Sequence, residues 1–104
     1  MYSVVLCTCE NEKEARKIAS ETIGKRLAAC VNIVPKVESL YWWKGKVVRG
    51  GECLLIIKTK KSLTERLMEN IKKIHSYKTP EIIELSITDG NREYLDWITE
   101  VTRR

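Results

Sequence analysis

The sequence predicts an α+β domain in which the elements run β-α-β-β-α-β and a third helix closes the chain. Three observations predict it. Apolar residues alternate or run on over Tyr2 to Thr8, Val31 to Trp43, Val47 to Thr59 and Pro80 to Thr88, which is the mark of strands. Three other stretches carry apolar residues three and four apart, the spacing of one helix face. Turn and cap residues fall at the joints between these stretches, so residues 1–104 read as a single domain without linkers or repeats.

Each element has its own justification. The first strand contains Val4-Val5-Leu6, apolar on both faces. Asn11 then caps a helix with Glu14 in the reciprocal position, and Ala15, Ile18, Ala19, Ile23 and Leu27 form its inner stripe. Leu27 to Thr59 reads as two long strands folded around a Lys44-Gly45 turn, with Gly50-Gly51 marking a bulge. Strands usually run about 5–6 residues, so this ribbon is unusually long. Ser62-Leu63-Thr64-Glu65 predicts a capping box for the second helix, whose stripe is Leu63, Leu67, Ile71 and Ile74 and whose end lies near His75. Pro80 opens the last strand, where Ile83, Leu85 and Ile87 alternate with Glu84, Ser86 and Thr88. Asp89-Gly90-Asn91 supplies a turn and cap, and Tyr94, Leu95, Ile98 and Val101 give the final helix its inner face.

This order is the ferredoxin-like split βαβ arrangement. Its usual strand order, 4-1-3-2, places both crossover helices on one face of the sheet and leaves the other bare. Yet the first strand and Leu54-Leu55-Ile56-Ile57 in the third are apolar at successive positions, which signals burial on both faces. Neighbouring subunits would cover the second face, because soluble monomers avoid apolar patches of that size. Tyr41, Trp42 and Trp43 at the hairpin tip are interface anchors of the expected type.

Charge narrows the function. The net charge is +5, but Glu12, Lys13, Glu14, Arg16 and Lys17 mix signs along one helix, and Glu12/Arg16 and Glu21/Lys25 stand at the favourable i,i+4 spacing. That is a solvated face rather than a phosphate track. An RNA-recognition motif shares the element order, but it stacks bases on aromatics of its central strands, and here those strands are aliphatic and the chain has no phenylalanine. No nucleic-acid partner is expected. No apolar run approaches the ~20 residues of a membrane helix, and Met1-Tyr2-Ser3 leads into a strand without the basic flank of a signal peptide. The expectation is a cytoplasmic protein with no membrane partner, whose Cys7, Cys9, Cys30 and Cys53 are reduced.

Several segments together carry a resemblance. Leu27-Ala28-Ala29-Cys30-Val31-Asn32, Tyr41-Trp42-Trp43-Lys44-Gly45-Lys46, Ile57-Lys58-Thr59, His75-Ser76-Tyr77-Lys78-Thr79-Pro80-Glu81-Ile82-Ile83 and Tyr94-Leu95-Asp96-Trp97-Ile98 look like the CutA family, the divalent-cation tolerance proteins. The match runs through the whole chain in order, with Ser76 standing where the family generally has proline. The resemblance implies a homotrimer similar in architecture to the PII nitrogen-signalling proteins, with Tyr41, Trp42 and Trp43 at the trimer interface. It also implies an association with copper and other divalent metals. In copper-associated relatives adjacent histidines contribute beside the first-strand cysteine, and here Ile74 replaces the first of them.

The residues that could carry that chemistry are few. Cys7 and Cys9 point to one face of the first strand, and thiolates are the preferred ligands of soft metals such as Cu(I). A free cysteine is equally a small core residue. His75 is the only histidine and stands at a helix end, where a cation would also complement the dipole. In the split βαβ topology Cys7, His75 and Glu81 come to one end of the sheet, whereas Cys7 and Cys30 lie roughly 20 Å apart. Cys7, His75 and Glu81 are the metal candidates, and the expected thiol reactivity is highest at Cys7 or Cys9, with Cys30 and Cys53 buried. Lys58 and Tyr77 are candidates for a cleft between subunits, where Lys58 and Glu81 could form an ion pair or a small anionic ligand could bind. No phosphate-binding glycine loop is present, no organic cofactor is expected, and no serine-acid constellation near His75 supports an enzyme. The leading function is a trimeric metal-tolerance protein, and the alternative is a PII-like ligand-sensing module.

Overall fold

A computed structural model describes residues 1–103. Its elements are β1 (Tyr2–Cys9), α1 (Glu12–Gly24), β2 (Cys30–Trp43), β3 (Lys46–Lys60), a 3-10 turn (Lys61–Leu63), α2 (Thr64–Ile74), β4 (Ile82–Ile87) and α3 (Arg92–Val101). The predicted order is met. The four strands pair antiparallel in the order β2-β3-β1-β4, which is the 4-1-3-2 sheet read from its other edge.

Strand periodicity sorts the sheet into two faces. Ser3, Val5, Cys7 and Cys9 of β1 and Cys53, Leu55, Ile57 and Thr59 of β3 point to the face covered by α1 and α2, and all eight are buried. Ala15 and Ile18 from α1 and Leu67 and Ile71 from α2 close over them as one cluster. Each fully buried aliphatic side chain there contributes roughly 1.5–3 kcal/mol. Thr22 rather than Ile23 completes the α1 stripe: Thr22 is buried with its hydroxyl donating to the Ile18 carbonyl at 2.9 Å, and Ile23 is exposed. A hydroxyl that bonds within its own helix can be buried without leaving an orphan.

The second face carries Val4, Leu6, Leu54 and Ile56, with Ile83 and Leu85 of β4 in register beside Leu6 and Val4. Ile83 and Leu85 are 47% and 50% exposed. The α3 helix covers only one end of this face, burying Leu95 and Ile98 there, with the Tyr2 and Thr99 hydroxyls bonded at 2.6 Å.

Beyond Cys53, β2 and β3 pair only with each other and project from the sheet. The radius of gyration is 14.2 Å, against about 13 Å for a compact chain of this length. The tip turns through Lys44 and Gly45 at φ +51° and +79°, positive at both central positions as the tight hairpin turn requires. Trp42 there is 75% exposed.

The structure corrects two details. The bulge falls at Pro35 and Lys36 of β2, between the Val34 and Val37 pairings, and Gly50-Gly51 stay in regular register with Ser39 and Glu38. Pro35 has no N–H to give the ladder, so the edge strand places its irregularity there, and Lys36 takes φ +60°. Nor does Ser62 cap α2. The 3-10 turn intervenes, and Thr64 donates its hydroxyl to the Lys61 carbonyl at 3.0 Å. No helix among the described residues is long and apolar enough to cross a membrane.

Candidate functional site

The sheet end where β1 runs out and α2 stops gathers most of the polar chemistry. Asn11 caps α1 by accepting the Glu14 N–H at 2.9 Å. The Glu14 carboxylate in turn accepts the Glu10 N–H at 3.1 Å, the Ser76 N–H at 2.6 Å and the Ser76 hydroxyl at 3.0 Å. Burial pushes the Glu14 pKa up, but these donors outweigh it and hold the carboxyl below its usual value. Proline at position 76 could supply neither donor. Ser76 therefore locks the loop after α2 onto the start of α1.

His75 follows α2 as its C-cap, with its side chain fully enclosed. Nδ1 lies 3.0 Å from the Tyr77 N–H and Nε2 lies 2.8 Å from the Thr8 carbonyl oxygen. Nδ1 must accept and Nε2–H must donate, so both ring nitrogens are occupied. The Tyr77 ring lies 4.9 Å away, and its hydroxyl donates to Glu52 at 2.9 Å. Burial first, and then Glu52, push the Tyr77 pKa up.

Cys7 sits close by but faces inward. Its thiol donates to the Thr8 carbonyl at 3.6 Å, and its pKa is pushed up to about 12, first by burial and then by Cys9, Glu81 and Glu14. The Cys9 thiol is pushed up to about 12 as well, again chiefly by burial. Glu81 is exposed. The predicted proximity of Cys7, His75 and Glu81 to one sheet end is thus real. Their donor atoms do not converge, and no group of three His, Cys, Asp or Glu side chains among the described residues is arranged to hold a metal ion. A protonated core thiol and a ring with both nitrogens bonded do not fit a metal ion within one chain.

Lys58 belongs to the opposite end of β3, in register with Val4 and Cys30. Its ammonium bonds the Asn32 side-chain oxygen and stands 3.8 Å from the Cys30 sulfur. Within one chain it does not meet Glu81, which precedes the β4 residue paired with Cys7.

All four cysteines are free, as expected. The expected order of reactivity is reversed, however: Cys7, Cys9 and Cys53 are buried and Cys30 is the partly exposed one. Sequence alternation placed Cys30 in the ribbon but could not tell that it faces away from α1 and α2. In the folded single chain thiol titration is expected to label Cys30 ahead of the other three, since a buried thiol is inert, and assembly on the face that carries Cys30 should slow that labelling. Cys30→Ser should remove the fast phase, and a fast phase that persists would place the reactive thiol elsewhere.

Comparison with known proteins decides the family. The family model for the CutA1 divalent ion tolerance protein matches residues 3–101. The chain belongs to the CutA family. A CutA divalent-cation tolerance protein of Thermus thermophilus is 50% identical over 102 residues, covering 98% of this chain and 99% of that one. Chloroplastic CutA 1 of rice is 49% identical over 100 residues, 96% of this chain but 56% of the relative, so the chain spans little more than half the length of that protein. Among solved structures, Thermus thermophilus CutA1 superposes with a TM-score of 0.96 at 50% identity, covering 99% of this chain and all of that one. The CutA of Archaeoglobus fulgidus gives 0.96 at 38% identity, over 99% and 100% of the two chains. The four-stranded antiparallel sheet with three helices is the CutA fold at each comparison.

Proposed function

We propose that this CutA chain works as a homotrimer, PII-like in architecture, in divalent-cation tolerance, as a binding and assembly protein rather than an enzyme. The observation that carries the reading is the second sheet face. Val4, Leu6, Leu54, Ile56, Ile83 and Leu85 form a continuous apolar surface that α3 covers at one end only, and beside it projects a ribbon with Tyr41, Trp42 and Trp43 exposed. Apolar rows on a sheet and bare indoles on an arm are the makings of an interface core and its anchors.

The relation to copper and other divalent cations is then a property of the assembled protein. Cys7, His75 and Glu81 are the nearest grouping of ligand types, and the enclosure of Cys7 and His75 predicts weak binding. Isothermal titration of the reduced protein with Cu(I), Cu(II) and Zn(II) tests this. The expected result is weak heats that Cys7→Ser leaves unchanged. Tight Cu(I) binding abolished by Cys7→Ser would instead make Cys7 and His75 the core of a metal site.

A second reading, a ligand-sensing module, is favoured by Lys58. Its ammonium stands on the face that assembly covers, with Asn32 and Cys30 as neighbours, and a covered cation needs an anion. Tyr77 is the other candidate for such a cleft. ATP in the same titrations tests it: heat lost on Lys58→Gln supports the module, and absence of heat removes it.

A further inference from the structure

The projecting ribbon leaves the sheet at a joint. Cys53 is the last residue of β3 paired with β1, through Cys9, and Pro35 and Lys36 of β2 stand opposite it, between the pairings of Val34 with Leu54 and Val37 with Glu52. The bulge and the point of departure coincide. An extra residue in one strand bends the ribbon and raises its twist, and Lys36 holds φ +60° without being a glycine, a conformation that persists only where its surroundings enforce it. Strain sits at the root of the arm.

One side chain from outside the ribbon braces it. The Tyr77 hydroxyl donates to the Glu52 carboxylate at 2.9 Å, directly beside the bulge, and among the described residues no other side chain beyond the ribbon hydrogen-bonds residues 37–52. Tyr77 is itself anchored. Its N–H donates to His75 Nδ1 at 3.0 Å, while His75 bonds the Thr8 carbonyl and Ser76 bonds Glu14. Three consecutive residues thus tie the loop after α2 to β1, to α1 and to the arm. Lever length makes the angle matter. Val37 to Trp43 at ~3.3 Å per residue is roughly 20 Å, so a swing of about 10° carries the indoles roughly 3–4 Å, and a gap of ~1 Å already forfeits much of a packing contact.

We propose that the Pro35-Lys36 bulge and the bond from Tyr77 to Glu52 form a braced joint that presents the ribbon, at a fixed angle, to a second copy of this chain, with Tyr77 as the positioning residue. That role rests on the homotrimer reading and adds to it the contact that aims the arm. Without the bond the ribbon samples several angles, and only the fraction at the competent one associates.

The test follows assembly after dilution of the unfolded chain from urea, with light scattering for mass and far-UV circular dichroism for folding of the subunit. Losing a hydrogen bond to a carboxylate shifts the joint about tenfold or more toward unbraced angles, so Tyr77→Phe should slow the concentration-dependent phase by a similar factor while the folding phase keeps its rate. Glu52→Ala should match it. Glu52→Gln, which keeps an acceptor for the phenol, should restore most of the rate, and Tyr77→Phe combined with Glu52→Ala should be no slower than either change alone. Tyr2→Phe, which loses the phenol bond to Thr99, should assemble like the unmodified chain. An unchanged assembly phase in Tyr77→Phe, equal slowing of its folding and assembly, or equal slowing by Tyr2→Phe would overturn the braced joint and leave the homotrimer standing. A one-chain mass for the unmodified protein would instead overturn the homotrimer reading, and the joint's partner with it.

Discussion

Replacing Leu85 by lysine is expected to turn the assembled protein into folded monomers. Leu85 is half exposed in the single chain and lies in register with Val4 on the bare face. In an isolated subunit the lysine stem can lie along that surface with its ammonium in water, so the change should stay within about 0.5 kcal/mol of neutral. In a trimer built on this face the same ammonium is desolvated without a partner in every subunit. That penalty is several kcal/mol per ion, larger than the ~2–4 kcal/mol expected for losing one aromatic anchor by Trp42→Ala. Light scattering should therefore show Leu85→Lys at the mass of one chain, 12.1 kDa, with unchanged far-UV circular dichroism. An unaltered mass would remove this face from the interface.

The second large effect is on stability. Leu55 is fully buried between Ile33 of β2 and Cys7 of β1, under the two crossover helices. Leu55→Ala removes its methyl groups and leaves a cavity in a cluster that the strands hold apart, at a cost of about 2–5 kcal/mol. Small domains have about 5–15 kcal/mol in all, so the urea midpoint should fall by a large fraction. Protein concentration must be held fixed, because assembly stabilises the folded chain by mass action. Ile23→Ala is the matched control: Ile23 is exposed on α1, and its loss should barely move the midpoint.

Much of the fold was legible because its determinants are local. Asn11 and Asn91 cap their helices as their side chains dictate, accepting N–H groups at 2.9 Å each, and the Lys44-Gly45 turn takes the positive φ values its composition invites. Continuous apolar runs in β1 and β3 announced central strands with two faces to cover. What escaped was set by tertiary context. The bulge went to Pro35, on an edge strand, because a missing N–H disturbs a ladder more than the freedom of Gly50 and Gly51 requires a kink. Thr22 displaced Ile23 from the core because its hydroxyl is satisfied inside α1. The candidate site shows the same division. Topology brought Cys7, His75 and Glu81 to one end, but pattern alone could not show that Thr8 and Tyr77 occupy both nitrogens of His75. Nor could it foresee that Glu14 and Ser76 join the start of α1 to the loop after α2, or that Arg26 ends α1 in a glycine-like conformation.

The assembly claim is tested most directly by sedimentation equilibrium of the unmodified chain over a range of micromolar concentrations. The account predicts a single species of three chains, each of 12.1 kDa, with no dissociation on dilution. A stable 12.1 kDa monomer across that range would contradict it, because the Val4, Leu6, Leu54, Ile56, Ile83 and Leu85 face would then stand bare in water.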